Sequence, residues 1–325
     1  MPGDMRMRHI SDYWIISTLI FFNIAGNFGN FNLIWLTYRR KELRTKAGIL
    51  LAINAVFQSI CLVSSFINIT VILIGKRIAR NVCYPLVMPF TIASSLQAPM
   101  ALVIAIDLLL ALISPLRYRQ QDAFKYIIGI CAPGMFYALF IGFYGLIKMD
   151  NEMLDFCNVV IGLPPTVSAL WVESNMLFNC FVLLVYFGIF LVLKCNYNPL
   201  AYREHKRVVR RLAVIVIVFV FSWFMANLGA QILSMLPIPS DILPYFQSNM
   251  VFFAGICFSQ NFYVCIWRSS DYREAFLNQM SFICHRHSVN GFINGCGKPT
   301  CTTGVTRTWA ESSRERRRSR PLMFI

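Results

Sequence analysis

The chain has 325 residues, 57% hydrophobic and 14% charged, and its 30 Lys and Arg against 15 Asp and Glu leave a net charge of +15. Apolar content this high excludes a disordered chain, and so little charge argues against an ordinary soluble domain. A positive balance alone would suit nucleic acid or a membrane, so the placement of the basic residues decides between them.

Seven uncharged runs follow one another: Tyr13–Tyr38, Ala47–Gly75, Asn81–Ile106, Tyr126–Ile147, Ser174–Leu193, Leu212–Ser240 and Ile242–Trp267. Each is about 20 residues or longer, which as a helix crosses a hydrocarbon core of ~30 Å. The pattern predicts an all-α membrane protein of seven transmembrane helices, with lipids as partners and no nucleic acid. The basic residues crowd into alternate gaps. One set of gaps, with the C-terminal tail, holds 24 Lys and Arg, and the other set, with the N-terminus, holds 6. The short loops alone divide 14 against 6, so the tail does not decide the outcome. The positive-inside rule then predicts the N-terminus outside and the C-terminus inside. The first apolar run is too long for a signal-peptide core and reads as a signal anchor.

The expected organisation is a short extracellular N-terminus over 1–12, a transmembrane domain over 13–267, an amphipathic membrane-surface helix over 268–280 and a basic cytoplasmic tail over 281–325. Tyr272, Phe276 and Met280 recur every fourth residue and so share one face of that eighth helix. Cys284 just beyond it is a lipidation candidate. Past Ser288 the tail is rich in Gly, Thr, Ser and Arg, the composition of a disordered segment.

Catalytic chemistry finds little material. The eleven cysteines form no Cys-x-x-Cys pair, and His9, His205, His285 and His287 all lie outside the apolar runs. With no clustered nucleophile, base or metal set, neither an enzyme nor a bound metal or cofactor is expected. One glycosylation sequon, Asn68-Ile69-Thr70, falls in the second run. Two carboxylates approach the membrane. Asp107 lies at the inner boundary of the third run and is a switch candidate. Glu173, beside Trp171, Ser174 and Asn175, is either a partner for a cationic or hydroxyl ligand group or an exposed carboxylate at a helix start. Gln97, Asn227, Gln231, Ser248 and Asn249 are pocket contacts or interhelical hydrogen-bonding groups.

Longer strings carry a resemblance. The first run ends Gly29-Asn30-Phe31-Asn32-Leu33-Ile34 and leads into Lys41-Glu42-Leu43-Arg44-Thr45-Lys46. The third runs from Ile106-Asp107 to Pro115-Leu116-Arg117-Tyr118. The sixth holds Phe221-Ser222-Trp223-Phe224, and the seventh Ser259-Gln260-Asn261-Phe262-Tyr263-Val264-Cys265-Ile266-Trp267-Arg268-Ser269. Over roughly residues 13–280 the chain resembles the rhodopsin-like G-protein-coupled receptors and, within them, the nematode serpentine chemoreceptors of the Srsx class. The resemblance implies a disulfide between Cys83 and Cys157, and a small-molecule pocket whose central Trp is Trp223. It implies switch roles for Asn30, Gln58, Asp107, Leu108 and Tyr263, and contact between the inner loops, including Arg207 and Arg210, and a heterotrimeric G protein. It also implies a plasma-membrane receptor in sensory neurons, including their cilia, that detects environmental or endogenous small molecules. The chain departs from the wider pattern. Leu108 and Leu109 replace the Arg and Tyr after Asp107, Met225 replaces a Pro, Ser259-Gln260 replaces Asn-Pro, and Gln58 stands where a sodium-binding carboxylate is usual. The rival reading is a transporter or ligand-gated channel, which calls for broken helices and a polar path at the midplane. The lack of paired intramembrane charges counts against it.

Overall fold

The computed structural model describes residues 2–75, 77–154, 156–195, 213–223, 225–226, 229, 232, 236, 243 and 249–293. Arg203–Arg211, Asn227, Gln231, Ser248 and the tail from 294 lie outside the described residues, and so does the side chain of Cys284.

In chain order the elements are α1 (Pro2–Arg39), a 3-10 turn (Lys41–Leu43), α2 (Lys46–Ile74), β1 (Ile78–Ala79), α3 (Arg80–Ser95), α4 (Gln97–Ile113), α5 (Pro115–Gln120) and α6 (Ala123–Ile147). There follow β2 (Met153–Leu154), α7 (Val159–Gly162), α8 (Pro165–Cys195), α9 (Ala213–Trp223), α10 (Val251–Arg268) and α11 (Ser270–Ile293). Five described stretches are long and apolar enough to cross a bilayer: Ile10–Arg39, Lys46–Ile74, Arg80–Ile113, Ala123–Ile147 and Pro165–Val192. The third joins α3 and α4, which part only at Leu96. Pro99 explains the break: it has no N–H for the carbonyl of Ser95, and its ring crowds that oxygen.

Local chemistry sets several boundaries. Thr45 Oγ1 accepts the Gly48 N–H at 3.1 Å and starts α2. Gly75, at φ 65°, ends it in the left-handed conformation that glycine adopts at little cost. Asp122 Oδ1 accepts the Phe124 and Lys125 N–H groups at 2.8 and 3.3 Å and starts α6.

Two boundaries differ from the sequence expectation. Helix α1 begins at Pro2, ahead of the apolar run, because a proline suits the first helical position. Helix α11 continues to Ile293 rather than stopping at Met280, and no Gly or Pro interrupts it before Gly291. Part of the tail expected to be disordered is therefore helical.

Helix α1 packs along α2 and α10, α4 along α8, and α3 against α2 and α6. Tyr84 occupies the α3–α6 contact, its hydroxyl donating to the Gly142 carbonyl at 2.8 Å. Gly145 makes this approach possible, since a Cβ there would overlap the Tyr84 ring and hydroxyl. Phe136, Phe140, Phe143 and Ile147 line the exposed side of α6 at helical spacing, an apolar face suited to lipid. Two large apolar clusters fill the bundle. One holds Phe22, Cys61, Tyr84, Trp171, Trp223 and Phe258, and the other Leu33, Leu50, Leu108, Ile215 and Phe262. The bundle and the start of α11, up to Phe276, make one compact unit, and the remainder of α11 is a helix described by itself.

Candidate ligand cavity and inner polar cluster

The loop chains at one end of the bundle are tied together three times. Strands β1 and β2 pair antiparallel, Ile78 opposite Leu154 and Ala79 opposite Met153. Buried Arg80 forms ion pairs with Asp150 and, at 2.8 Å, with Glu152. A disulfide joins Cys83, at the start of α3, to Cys157 beyond β2, with their Cα atoms 5.7 Å apart. The Cys157 N–H then donates to Asn68 Oδ1 at 3.1 Å. Asn68, the residue of the sequon, is 3% exposed, within α2, and braces the loop from inside.

Next to these ties lies a cavity with about 810 Å³ of empty space, counting its open mouth. Its walls come from α1, α2, α3, α7, α8 and α10 and from the end of α9. Phe22, Phe90, Trp171, Trp223 and Phe258 supply aromatic surface, and Ser65, Asn68, Ser94 and Asn158 the few polar groups. The Trp171 and Trp223 rings meet edge to face at 6.0 Å, and Trp223 lies 5.8 Å from Phe258. Asn175 fixes this pair: its Oδ1 accepts the Trp223 indole N–H at 3.3 Å, and its Nδ2 donates to the Trp171 carbonyl at 2.6 Å. An apolar, aromatic hollow with sparse polar groups is the usual form of a small-molecule site.

Of the pocket candidates named from sequence that lie among the described residues, Trp223 is the one found in the wall. Glu173 is exposed on the outer side of α8. Two residues of helix turn it about 200° from Trp171, so the carboxylate faces away from the cavity. Asn249 donates to Ser11 Oγ at 2.9 Å, beside the wall residue Met250 but not in the wall. Gln97 is fully buried elsewhere, in a polar layer with Gln58 and Asn261. There Gln58 Nε2 donates to the Cys257 carbonyl at 3.2 Å and reaches Gln97 Oε1 at 3.5 Å, while Asn261 Nδ2 donates to Gln58 Oε1 at 3.0 Å. Asn30 adds a bond to the Phe258 carbonyl at 3.1 Å. These amides pin α2, α4 and α10 together without a charge. Sequence reasoning missed Phe90, Phe258 and Asn158 because a search for polar residues in apolar runs passes over aromatics and loop caps.

A family model described as serpentine type 7TM GPCR chemoreceptor Srsx matches residues 23–280. The chain belongs to this family. No curated protein matches the chain. Family membership makes it a seven-helix membrane protein of a receptor class rather than an enzyme class.

At the far end of α4 this Srsx chain keeps a buried carboxylate, Asp107, 1% exposed. Tyr118 of α5 donates its hydroxyl to Asp107 Oδ1 at 2.9 Å. Lys46, at the start of α2, donates to the Tyr118 carbonyl, and its ammonium lies 4.3 Å from the Tyr118 ring centre and 4.7 Å from that of Tyr126. Burial first, and then the neighbouring Asp107 charge, push the Tyr118 phenol well above its ordinary range, so it stays protonated and donates. The cation that faces Asp107 in this Srsx chain thus comes from α2 rather than from the next residue, Leu108, which is buried in the apolar cluster of that end. Tyr263 does not join the cluster. It is 42% exposed, and its hydroxyl donates to the Ala25 carbonyl of α1 at 2.6 Å, because its neighbour Phe262 takes the inward side of α10. Arg207 and Arg210 lie outside the described residues.

Proposed function

We propose that this chemoreceptor binds a small, mostly apolar molecule in the aromatic cavity and signals to a heterotrimeric G protein at the cytoplasmic face. The observation that carries the reading is the cavity itself, an aromatic hollow beside a disulfide-tied loop. Its walls belong to six helices and the end of a seventh, so a ligand that packs better in one helix arrangement shifts the population towards it. Trp223 is the last residue of the continuously described stretch of α9 and Phe258 sits in α10, which links cavity occupancy to helices that run to the opposite end. There the basic segment Arg203–Arg211, with Arg207 and Arg210, supplies the charge to meet a G protein, and the Asp107–Tyr118–Lys46 cluster takes over the holding role that an Arg at position 108 would have. The N-terminus lies outside, and the receptor works at the plasma membrane of sensory cells, including their cilia.

The test is a cell line expressing the full chain at its surface, exposed to a panel of small apolar compounds while cyclic nucleotide and calcium are recorded. A dose-dependent response that disappears when G proteins are disabled is the expected result. A ligand-evoked current that persists without G proteins would replace the receptor by a ligand-gated channel. Binding without any G-protein activation would leave the site but sink the signalling step.

A further inference from the structure

We infer that the cavity selects a neutral ligand bearing a hydrogen-bond acceptor oxygen, such as a ketone, aldehyde or ester, over an amine or a plain hydrocarbon. The inference rests on reading the cavity as the ligand site. No Asp, Glu, Lys or Arg among the described residues lines it, so a cation entering would lose its water and meet no counter-charge there. Glu173, two residues from the wall residue Trp171, is exposed on the far side of its helix.

The hydrogen-bonding state of the wall narrows the choice further. The Ser65 hydroxyl donates to the Leu62 carbonyl at 2.7 Å and accepts from Asn23 at 2.8 Å. The Ser94 hydroxyl has given its proton to the Thr91 carbonyl at 3.1 Å. Asn68 Oδ1 accepts the Cys157 N–H, and Asn158 Oδ1 accepts the Ile161 N–H, each at 3.1 Å. A backbone N–H can only donate, so it fixes which end of each amide is oxygen. Both NH2 ends are left without an acceptor among the described residues. Trp171, 2% exposed, adds an indole N–H that also finds none. Indole nitrogen is a donor only, and a buried donor without a partner is the exception in folded proteins. The free polar capacity of the wall is therefore mainly donor in character, set among aromatic faces that suit an apolar body.

One carbon skeleton separates the possibilities: acetophenone carries the acceptor, ethylbenzene nothing, and 1-phenylethylamine a cation at neutral pH. The full-length chain in lipid nanodiscs is titrated with each, and the rise of the unfolding midpoint with concentration gives the affinities. Acetophenone is expected to bind roughly fivefold or more tighter than ethylbenzene, the value of one neutral hydrogen bond, with the amine weakest. Asn158→Asp keeps the oxygen that caps α7 but replaces the donor by a carboxylate, so the ranking of ketone and amine should reverse. Trp171→Phe should lower the ketone affinity and leave ethylbenzene unchanged. Equal binding of ketone and hydrocarbon, or preference for the amine in the native chain, overturns the acceptor rule while the cavity stands. Binding of none of the three by a chain that still unfolds cooperatively overturns the cavity reading beneath it.

Discussion

A carboxylate with 1% of its surface exposed needs partners, and Asp107 has one direct donor in Tyr118 and a nearby cation in Lys46. Removing a partner from a buried charge costs more than the bond is worth, roughly 1–3 kcal/mol. Tyr118→Phe should therefore lower the thermal unfolding midpoint by a few degrees, and adding Asp107→Asn should recover part of that loss, because the neutral amide no longer demands the donor. An unchanged midpoint in the single variant would remove the cluster from the account. Asn68 gives a second prediction at this scale. Its amide is committed to the Cys157 N–H inside the bundle, so glycosidase digestion of the cell-expressed protein should leave its gel mobility unaltered. A mobility shift that vanishes in Asn68→Gln would contradict the placement. The sequence marked Asp107 as an inner-boundary residue because a charge beside an apolar run stands out. It did not reveal Lys46 as the neighbouring cation, since the two lie on different helices, α2 and α4, and periodicity encodes faces, not neighbours. The Asn68 sequon shows the same limit: it falls in an apolar run, yet its three residues do not reveal that the Cys157 loop closes over it.

Among elements, the tightest fit is α3 on α6, where Tyr84 is fully buried over Gly142 and Gly145. Gly145→Ala places a methyl group where the Tyr84 ring lies, and overpacking of this kind typically costs about 1–3 kcal/mol. Surface expression and the unfolding midpoint should both fall. Tyr84→Leu is also destabilising by itself, yet the two changes together should cost less than their sum, because the shortened side chain makes room for the methyl. Strict additivity would mean that the clash is relieved elsewhere. The helices themselves were legible, since each uncharged run described well enough to judge coincides with a helix, and α3–α4 remain one span despite the break that Pro99 imposes. Their ends were less so. Lack of charge marks where a helix meets lipid, whereas backbone chemistry decides where it stops, and so α1 starts before its apolar run and α11 outlasts the face marked by Tyr272 and Phe276. The cavity was the least legible part. Its walls draw on aromatics and small residues from six helices and the end of a seventh, and no single stretch of sequence carries that juxtaposition.

For the molecule as a whole, two unrelated physical effects bear on which end faces the cell interior. One is the distribution of Lys and Arg, 24 against 6, which favours the tail inside. The other is redox chemistry: a disulfide persists in an oxidising compartment, which favours the end with Cys83 and Cys157 outside. Cys83 and Asp107 are 24 residues apart on the α3–α4 span, about 36 Å at the helical rise, which is enough to put them on opposite faces of a bilayer. Asp107 lies at the end that carries Lys46 and Tyr118, within the basic set of loops, so the two criteria select the same orientation. An epitope tag at the N-terminus should bind antibody on intact cells, and one at the C-terminus only after permeabilisation. Neutralising Arg39, Arg40, Lys41 and Arg44 together removes most of the charge next to the first span, and a mixed population should follow. In the inverted fraction the disulfide end would sit in the reducing cytosol, so Cys83 should become reactive to a thiol label to the same extent as the N-terminal tag is lost from the surface. If the tag disappears while Cys83 stays protected, the disulfide is not reporting orientation. If neither changes, the charges of the first loop do not set the topology.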